Sequence, residues 1–231
     1  MKSKINPIDV VIAWVDGSDK ELIKKRKNYL NNNGNEIIPG ANSTRFQSLN
    51  EINYCIFSIL KFASFIRKIF IVTDNQKPRV HKLVRKYFPK RELDIQIIDH
   101  VQIFEGYESF LPTFNSICIS NMLWRIKGLS NQFVYFNDDI FLTRSITPSD
   151  WFKDGRPVLR GKWVFPPYER IFWDGLKTFF QNTILDLNKD PTPSFQVNQW
   201  NAAKLFYFKF RYFRSGHVPL ALDKRKLSEY F

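Results

Sequence analysis

Four short apolar runs, each closed by an acidic residue, constrain this chain more than any other feature. Ile8–Val15 (IDVVIAWV) runs into Asp16, Lys68–Thr73 (KIFIVT) into Asp74, Asp94–Ile98 (DIQII) into Asp99, and Phe133–Phe136 (FVYF) into Asn137-Asp138-Asp139. Runs that are apolar at nearly every position suit strands covered on both faces. Helical patterns lie between them. Ser48–Phe65 sets Leu49, Ile52, Ile56, Ile59, Leu60 and Ala63 at helical spacing. Pro78 suits the first turn of another helix, with Val80, Leu83, Val84 and Tyr87 inward and Pro89 as its stop. A third starts at a Thr113 or Asn115 cap and carries Ile119, Met122, Leu123 and Ile126 towards Gly128. Strand and helix therefore alternate. The fold class predicted is α/β: an open, mostly parallel, Rossmann-like sheet with helices on both faces.

Sheets of that kind bind ligands outside the carboxyl ends of their strands. One strand ending in Asp is ordinary, because Asp favours turns. Four would line one edge with carboxylates, and the adjacent Asp138 and Asp139 are costly to desolvate unless a cation or donor-rich ligand meets them. A plain turn is the competing reading of Asn137-Asp138-Asp139. The sequence holds no Cys/His metal cluster, phosphate loop, G-x-G-x-x-G or nucleophile elbow. What it offers is oxygen ligands and cations, a set suited to a divalent cation, Mg²⁺ or Mn²⁺, bridging to phosphates. His217, within Arg214–Pro219 (RSGHVP), belongs to a loop, and an ordinary histidine pKa of about 6.5 fits a general base. An exposed spectator is the alternative. His81 reads as surface, and His100 either lines the strand edge or caps its strand.

Lys and Arg number 35 against 22 Asp and Glu, a net charge of +13. Anionic partners follow: a nucleotide, a phosphorylated sugar, an acidic membrane or a nucleic acid. The same charge also keeps a chain with 23 Phe in solution. Two cysteines make no disulfide framework. No run approaches the ~18 apolar residues of a membrane span, and Val10–Val15 is too short for a signal peptide. A cytoplasmic protein is expected, one that can sit peripherally at the inner face of the membrane. After Arg144 the regular pattern fades, which divides the chain into a 1–145 core and a 146–231 helical, irregular, aromatic-rich region. Within the latter, Ile171–Leu187 reads as a helix. Asn198–Arg214, with KLFYFKFRYFR at its centre, reads as a core helix with snorkelling cations. Contact with a membrane interface or single-stranded nucleic acid is the alternative there.

Ile8–Asp19 (IDVVIAWVDGSD), Arg45–Gln76, Pro112–Ser116 (PTFNS), Gly128–Leu142 (GLSNQFVYFNDDIFL) and His217–Phe231 together resemble the Stealth proteins. These are sugar-phosphate transferases of microbial capsules and exopolysaccharides, together with the catalytic part of the animal enzyme that adds N-acetylglucosamine-1-phosphate to lysosomal glycoproteins. The resemblance implies a fold of nucleotide-sugar transferase type, with 146–231 on the acceptor side. It implies transfer of a sugar 1-phosphate from a nucleotide sugar, expected to be a UDP-sugar, to a hydroxyl of a glycan acceptor. Asp16, Asp74, Asn115 and Asn137 would then line the nucleotide-sugar site. Asp138 and Asp139 would hold the metal or orient the diphosphate, Arg45 would face phosphate oxygens, and His217 would deprotonate the acceptor. The chain departs from the family pattern at Phe57, Ser120 and Trp124, and the family's fourth block is missing from it. A metal-dependent glycosyltransferase and an inactive truncated member are the alternatives. A nucleic-acid-binding module is not expected, because it gives no reason for carboxylates at four strand ends.

Overall fold

A computed structural model describes residues 6–32, 48–90, 94–185 and 194–230. In chain order its elements are β1 (Ile8–Ala13), α1 (Lys20–Asn32), α2 (Glu51–Phe62), β2 (Ile66–Thr73), α3 (Val80–Tyr87), β3 (Asp94–Asp99), α4 (His100–Ile103), α5 (Ser116–Met122), β4 (Gln132–Asn137), α6 (Pro148–Trp151), β5 (Phe152–Lys153), β6 (Arg156–Pro157), β7 (Gly161–Val164), α7 (Tyr168–Thr183), α8 (Phe195–Leu205), β8 (Tyr212–Ser215), β9 (Leu220–Asp223) and α9 (Lys224–Tyr230). They fall into two compact units: the described residues up to Leu159 with 218–230, and 160–217. The division expected after residue 145 therefore lies inside the first unit, and the chain returns to that unit at Val218.

The first unit is built on a five-stranded sheet in the order β3-β2-β1-β4-β9. Strands β1 to β4 run parallel, in the register Val10↔Ile69, Val10↔Val134 and Ile71↔Ile97. This confirms the predicted mostly parallel α/β sheet. β9 is an addition to it. It enters antiparallel beside β4, with Leu220 opposite Tyr135 and Asp223 opposite Gln132. Four residues bounded by Pro219 and a helix carry too little periodicity to announce a strand, so the sequence reading passed over it.

Both faces of the sheet are covered, which explains why its strands are apolar at successive positions. Ile8, Val10 and Ile12 of β1 face one layer with Ile69, Ile71, Val134 and Phe136, under Ile52, Ile56 and Ile59 of α2 and Val80 and Val84 of α3. Val11, Phe70, Val72 and Phe133 face the other, against Ile103, Leu123, Ile126 and Leu129. Asp9 is the exception on β1: it is fully buried, and Arg67 grips it with Nε and a terminal nitrogen at 2.9 and 2.5 Å. Cys55 is buried in α2, whereas Cys118 is exposed on α5, and neither is in a disulfide.

The second unit differs from the expectation for Asn198–Arg214. That stretch is not one helix, and its aromatics from Phe206 to Phe210 are exposed rather than core. α8 ends at Leu205, and after a turn Tyr212–Ser215 forms β8, paired antiparallel with β7 through Lys162↔Arg214 and Trp163↔Phe213. Tyr212 is buried against Trp200, while Leu205, Phe206, Tyr207 and Phe210 are exposed. Alternation between apolar and basic residues, read there as a helix face, belongs to a helix end, a turn and a strand.

Candidate active site at the carboxyl ends of the strands

The parallel strands β1, β2, β3 and β4 end on one edge of the first unit, and their closing acids meet very different surroundings. Asp16 follows β1 in a tight turn, where its Oδ1 accepts from the Ser18 amide at 2.9 Å and the Ser18 hydroxyl at 2.6 Å. Its backbone is clasped by Gln76 just past β2. The Asp16 N–H donates to Gln76 Oε1 and the Gln76 side-chain amide donates to the Asp16 carbonyl, each at 2.8 Å. Nothing in the sequence pattern marks Gln76, because its partner lies 60 residues away. Asp19 then caps α1 by accepting from the Leu22 N–H at 2.9 Å.

Asp74, after β2, is ion-paired with Lys25 of α1 at 2.7 Å. Asp99, at the end of β3, caps α4: Oδ1 accepts from the Val101 N–H at 2.9 Å and Oδ2 from the Asn75 N–H at 2.6 Å. Its neighbour His100 is buried, and that burial holds the imidazole pKa below its ordinary value despite the nearby Asp74 and Asp99 carboxylates. Of the two roles open to His100, the capping falls to Asp99, and the buried imidazole sits at the strand edge beside the Asp74 and Asp99 carboxylates. Asn115 is the cap of α5, accepting from the Ile117 N–H at 2.9 Å, which selects it over Thr113.

Asn137, Asp138 and Asp139 stand at the end of β4. Asn137 Oδ1 accepts from the Tyr135 hydroxyl at 2.6 Å, and the Asn137 carbonyl accepts from the Ile140 N–H at 3.2 Å, closing a turn that holds both aspartates. The plain-turn reading and the site reading are thus compatible. Helix α2 braces the segment: Ser58 Oγ accepts from the Leu142 N–H at 2.9 Å, and the Cys55 thiol lies 3.9 Å from the Asn137 carbonyl oxygen.

The Asp138 carboxyl is pushed up to about 6, first by burial, then by the charge of Asp139 and, further off, Glu51. The same two aspartates, after burial, raise the Tyr135 phenol to about 12 and the Cys55 thiol still further. No described Lys, Arg or His forms an ion pair with Asp138 or Asp139. Among the described residues no three His, Cys, Asp or Glu side chains gather into a metal site either. The donor set nonetheless fits a hard divalent cation in part: two adjacent carboxylates without an ion-pair partner among the described residues would supply protein ligands, leaving further oxygens to come from phosphate or water. Trp14, which precedes the Asp16 turn, adds a buried indole N–H with no partner among the described residues.

One edge therefore collects Asp16, Asp74, Asn137, Asp138 and Asp139 at strand ends. Asn115 is exposed at the start of α5, in the same unit. His217 lies in a bend between β8 and β9 and closes the second unit. Arg45 lies outside the described residues.

Comparison with known proteins points one way. The model of Stealth protein CR1, conserved region 1, matches residues 6–34, and that of Stealth protein CR2, conserved region 2, matches residues 45–158. A capsular polysaccharide phosphotransferase of Haemophilus influenzae is 37% identical over 147 residues, 64% of this chain and 38% of that protein. Another, from Actinobacillus suis, is 41% identical over 63% of this chain and 38% of its own length. An exopolysaccharide phosphotransferase of Lactiplantibacillus plantarum is 37% identical over 94% of this chain and 64% of its own length. The chain thus spans under two thirds of the curated relatives it matches. Among solved structures, mouse xyloside xylosyltransferase 1 overlaps 96% of this chain and 68% of its own, at 11% identity and a TM-score of 0.35, too low to bear on fold or chemistry. No helix among the described residues is long and apolar enough to cross a membrane.

Proposed function

Because the chain belongs to the Stealth family, we propose that it transfers a sugar 1-phosphate from a nucleotide diphosphate sugar to a hydroxyl of a glycan acceptor, building a phosphodiester-linked capsular or exopolysaccharide. The observation that carries this reading is the Asp138–Asp139 pair: Asp138 half-buried, Asp139 exposed beside it and repelling it, and neither with an ion-pair partner among the described residues. A nucleotide diphosphate arriving with a cation answers that charge; a neutral ligand would not.

In the proposed reaction the acceptor oxygen attacks the β-phosphorus of the donor. An oxygen–phosphorus bond to the acceptor forms, the bond from that phosphorus to the bridging oxygen breaks, and nucleoside monophosphate leaves with the bonding electron pair. The acceptor proton passes to His217, proposed as the base for its residue type and loop setting. Little covalent chemistry falls to the protein in such a transfer, so its work is positioning and charge neutralisation. Asp138 and Asp139 would hold Mg²⁺ or Mn²⁺, which when bound supplies neutralisation of the diphosphate and of the departing phosphate. Asn137, fixed by Tyr135, and Asp16, fixed by Ser18 and Gln76, line the donor side. Asp74 contributes by holding the Lys25 ammonium at this edge; Asn115 would line the site, and Arg45 is assigned to the donor phosphates by its residue type.

The released nucleotide is the test. Incubation with UDP-sugars, a glycan acceptor and Mg²⁺ or Mn²⁺ should yield UMP and a diester signal in the phosphorus NMR spectrum of the product. Release of UDP instead would mean cleavage at the anomeric carbon, and a metal-dependent glycosyltransferase in place of this reading.

A further inference from the structure

Among the described residues, the second unit presents an apolar and basic surface that stands exposed. Helix α7 runs 16 residues without burying one, and Tyr168, Phe172, Trp173, Phe179 and Phe180 all stand exposed on it. The end of α8 is more pronounced. Leu205, Tyr207 and Phe210 are 78, 87 and 82% exposed. Exposed single apolar residues need no account, but a contiguous field of them marks an interaction surface.

The turn that carries them has a second peculiarity. The Tyr207 N–H donates to the Lys204 carbonyl at 3.0 Å and the Phe208 N–H to the Ala203 carbonyl at 3.3 Å. These are the two bonds of a Schellman helix end, whose closing residue is left-handed and usually glycine. Here that residue is Tyr207, at φ 61°. A bulky side chain is strained in that conformation. The fold thus accepts strain to hold an aromatic ring out in solvent. Phe208 continues the surface to Trp163, with ring centroids 5.9 Å apart, and Arg211 lies 5.0 Å over Phe165.

Charge says what the surface meets. Residues 160–168 hold Arg160 and Lys162, and 194–217 hold Lys204, Lys209, Arg211 and Arg214; neither stretch holds an acid. Lys162 and Arg214 even sit directly opposite each other in the β7–β8 ladder, a like-charge pairing that sheets avoid. Cations interleaved with Tyr, Trp and Phe match the interfacial zone of an anionic bilayer, where rings sit at headgroup depth and ammonium and guanidinium groups meet phosphates.

We propose that the Leu205–Arg211 turn and the adjoining Trp163 and Phe165 dock this protein onto an anionic membrane surface. Tyr207 and Phe210 insert; Lys209 and Arg211 bind headgroup phosphates. The proposal does not depend on the reaction proposed for the strand-edge carboxylates.

The strained tyrosine makes a clean test possible. Tyr207→Gly removes the ring while relieving the backbone, so the variant should melt at or above the temperature of the parent protein. Sedimentation with phosphatidylcholine vesicles containing phosphatidylglycerol should carry down the parent protein, less so in high salt, and phosphatidylcholine alone should not. Tyr207→Gly should lower the partition at least about tenfold, as a buried aromatic is lost. Lys209→Gln with Arg211→Gln should lower it about 25-fold, at about fivefold for each cation. The proposal is overturned if both variants partition like the parent or if the parent stays in solution with anionic vesicles. It is equally overturned if the protein sediments without vesicles, which would make a second copy the partner, or if an anionic polysaccharide alone occupies the face.

Discussion

The two edges of the central sheet use the same residue type to opposite ends. At the edge where the parallel strands begin, each acid meets a cation: Asp9 with Arg67 at 2.5 Å, Asp94 with Lys68 at 2.5 Å, and Asp223 with Arg225 at 2.9 Å. Asp9, though fully buried, adds a bond from the Ser130 N–H at 2.7 Å. At the edge where the strands end, Asp16, Asp74 and Asp99 are held by a serine, a lysine and backbone amides. Asp138 and Asp139 instead face each other, without an ion pair among the described residues. A ring of four carboxylates thus resolves into one pair left with excess charge. Acids that stabilise a fold bring their counter-charge with them; acids kept for a ligand leave it to arrive.

The contrast can be broken at several points. The largest effect expected is on turnover: Asp139→Asn should cut nucleotide release by about 10³-fold, the scale of losing a group that neutralises transition-state charge, while Asp223→Asn should leave it nearly intact. Next comes Asp9→Asn, which removes the counter-charge of the half-exposed Arg67 guanidinium and should lower the free energy of urea unfolding by about 1–3 kcal/mol. A smaller effect separates the edges by ligand. Mn²⁺ at about ten times its dissociation constant should stabilise the parent protein by about 1.4 kcal/mol in a thermal melt and leave Asp138→Asn/Asp139→Asn unmoved. The smallest belongs to Lys68→Met, whose partner Asp94 is largely solvated; a loss below about 1 kcal/mol in urea unfolding is expected.

Much of this was legible in the chain. Parallel strands buried on both faces announce themselves as continuous apolar runs, and Asp closes such runs because its side chain can bond the turn's own amides, as Asp16 and Asp99 do. The helix cap at Asn115, one of two candidates with Thr113, was readable for the same local reason. Pairing across the sheet was not. Arg67 lies 58 residues from Asp9, Gln76 lies 60 from Asp16, and no local pattern joins them. In sequence the four strand-end acids look equal; their three-dimensional partners separate them. The segment around Lys204–Arg214 misled differently: aromatic and basic residues suit a buried helix, and only the left-handed Tyr207 turns the chain outward instead.

The most direct test of the account is the stability of Asp138→Asn near pH 7 without divalent ions. The Asp138 carboxyl titrates at about 6, above the ordinary aspartate value of about 4. The native state therefore holds this proton longer than the unfolded chain does, and the parent protein loses stability as pH rises between those values. Asparagine cannot ionise, so the variant escapes that loss. Its urea midpoint should exceed the parent's by the equivalent of about 1–3 kcal/mol near pH 7, a gain that vanishes below about pH 4. A midpoint lower than the parent's near pH 7 would mean that Asp138 has its own counter-charge in the fold, and would contradict the claim that the pair awaits a cationic ligand.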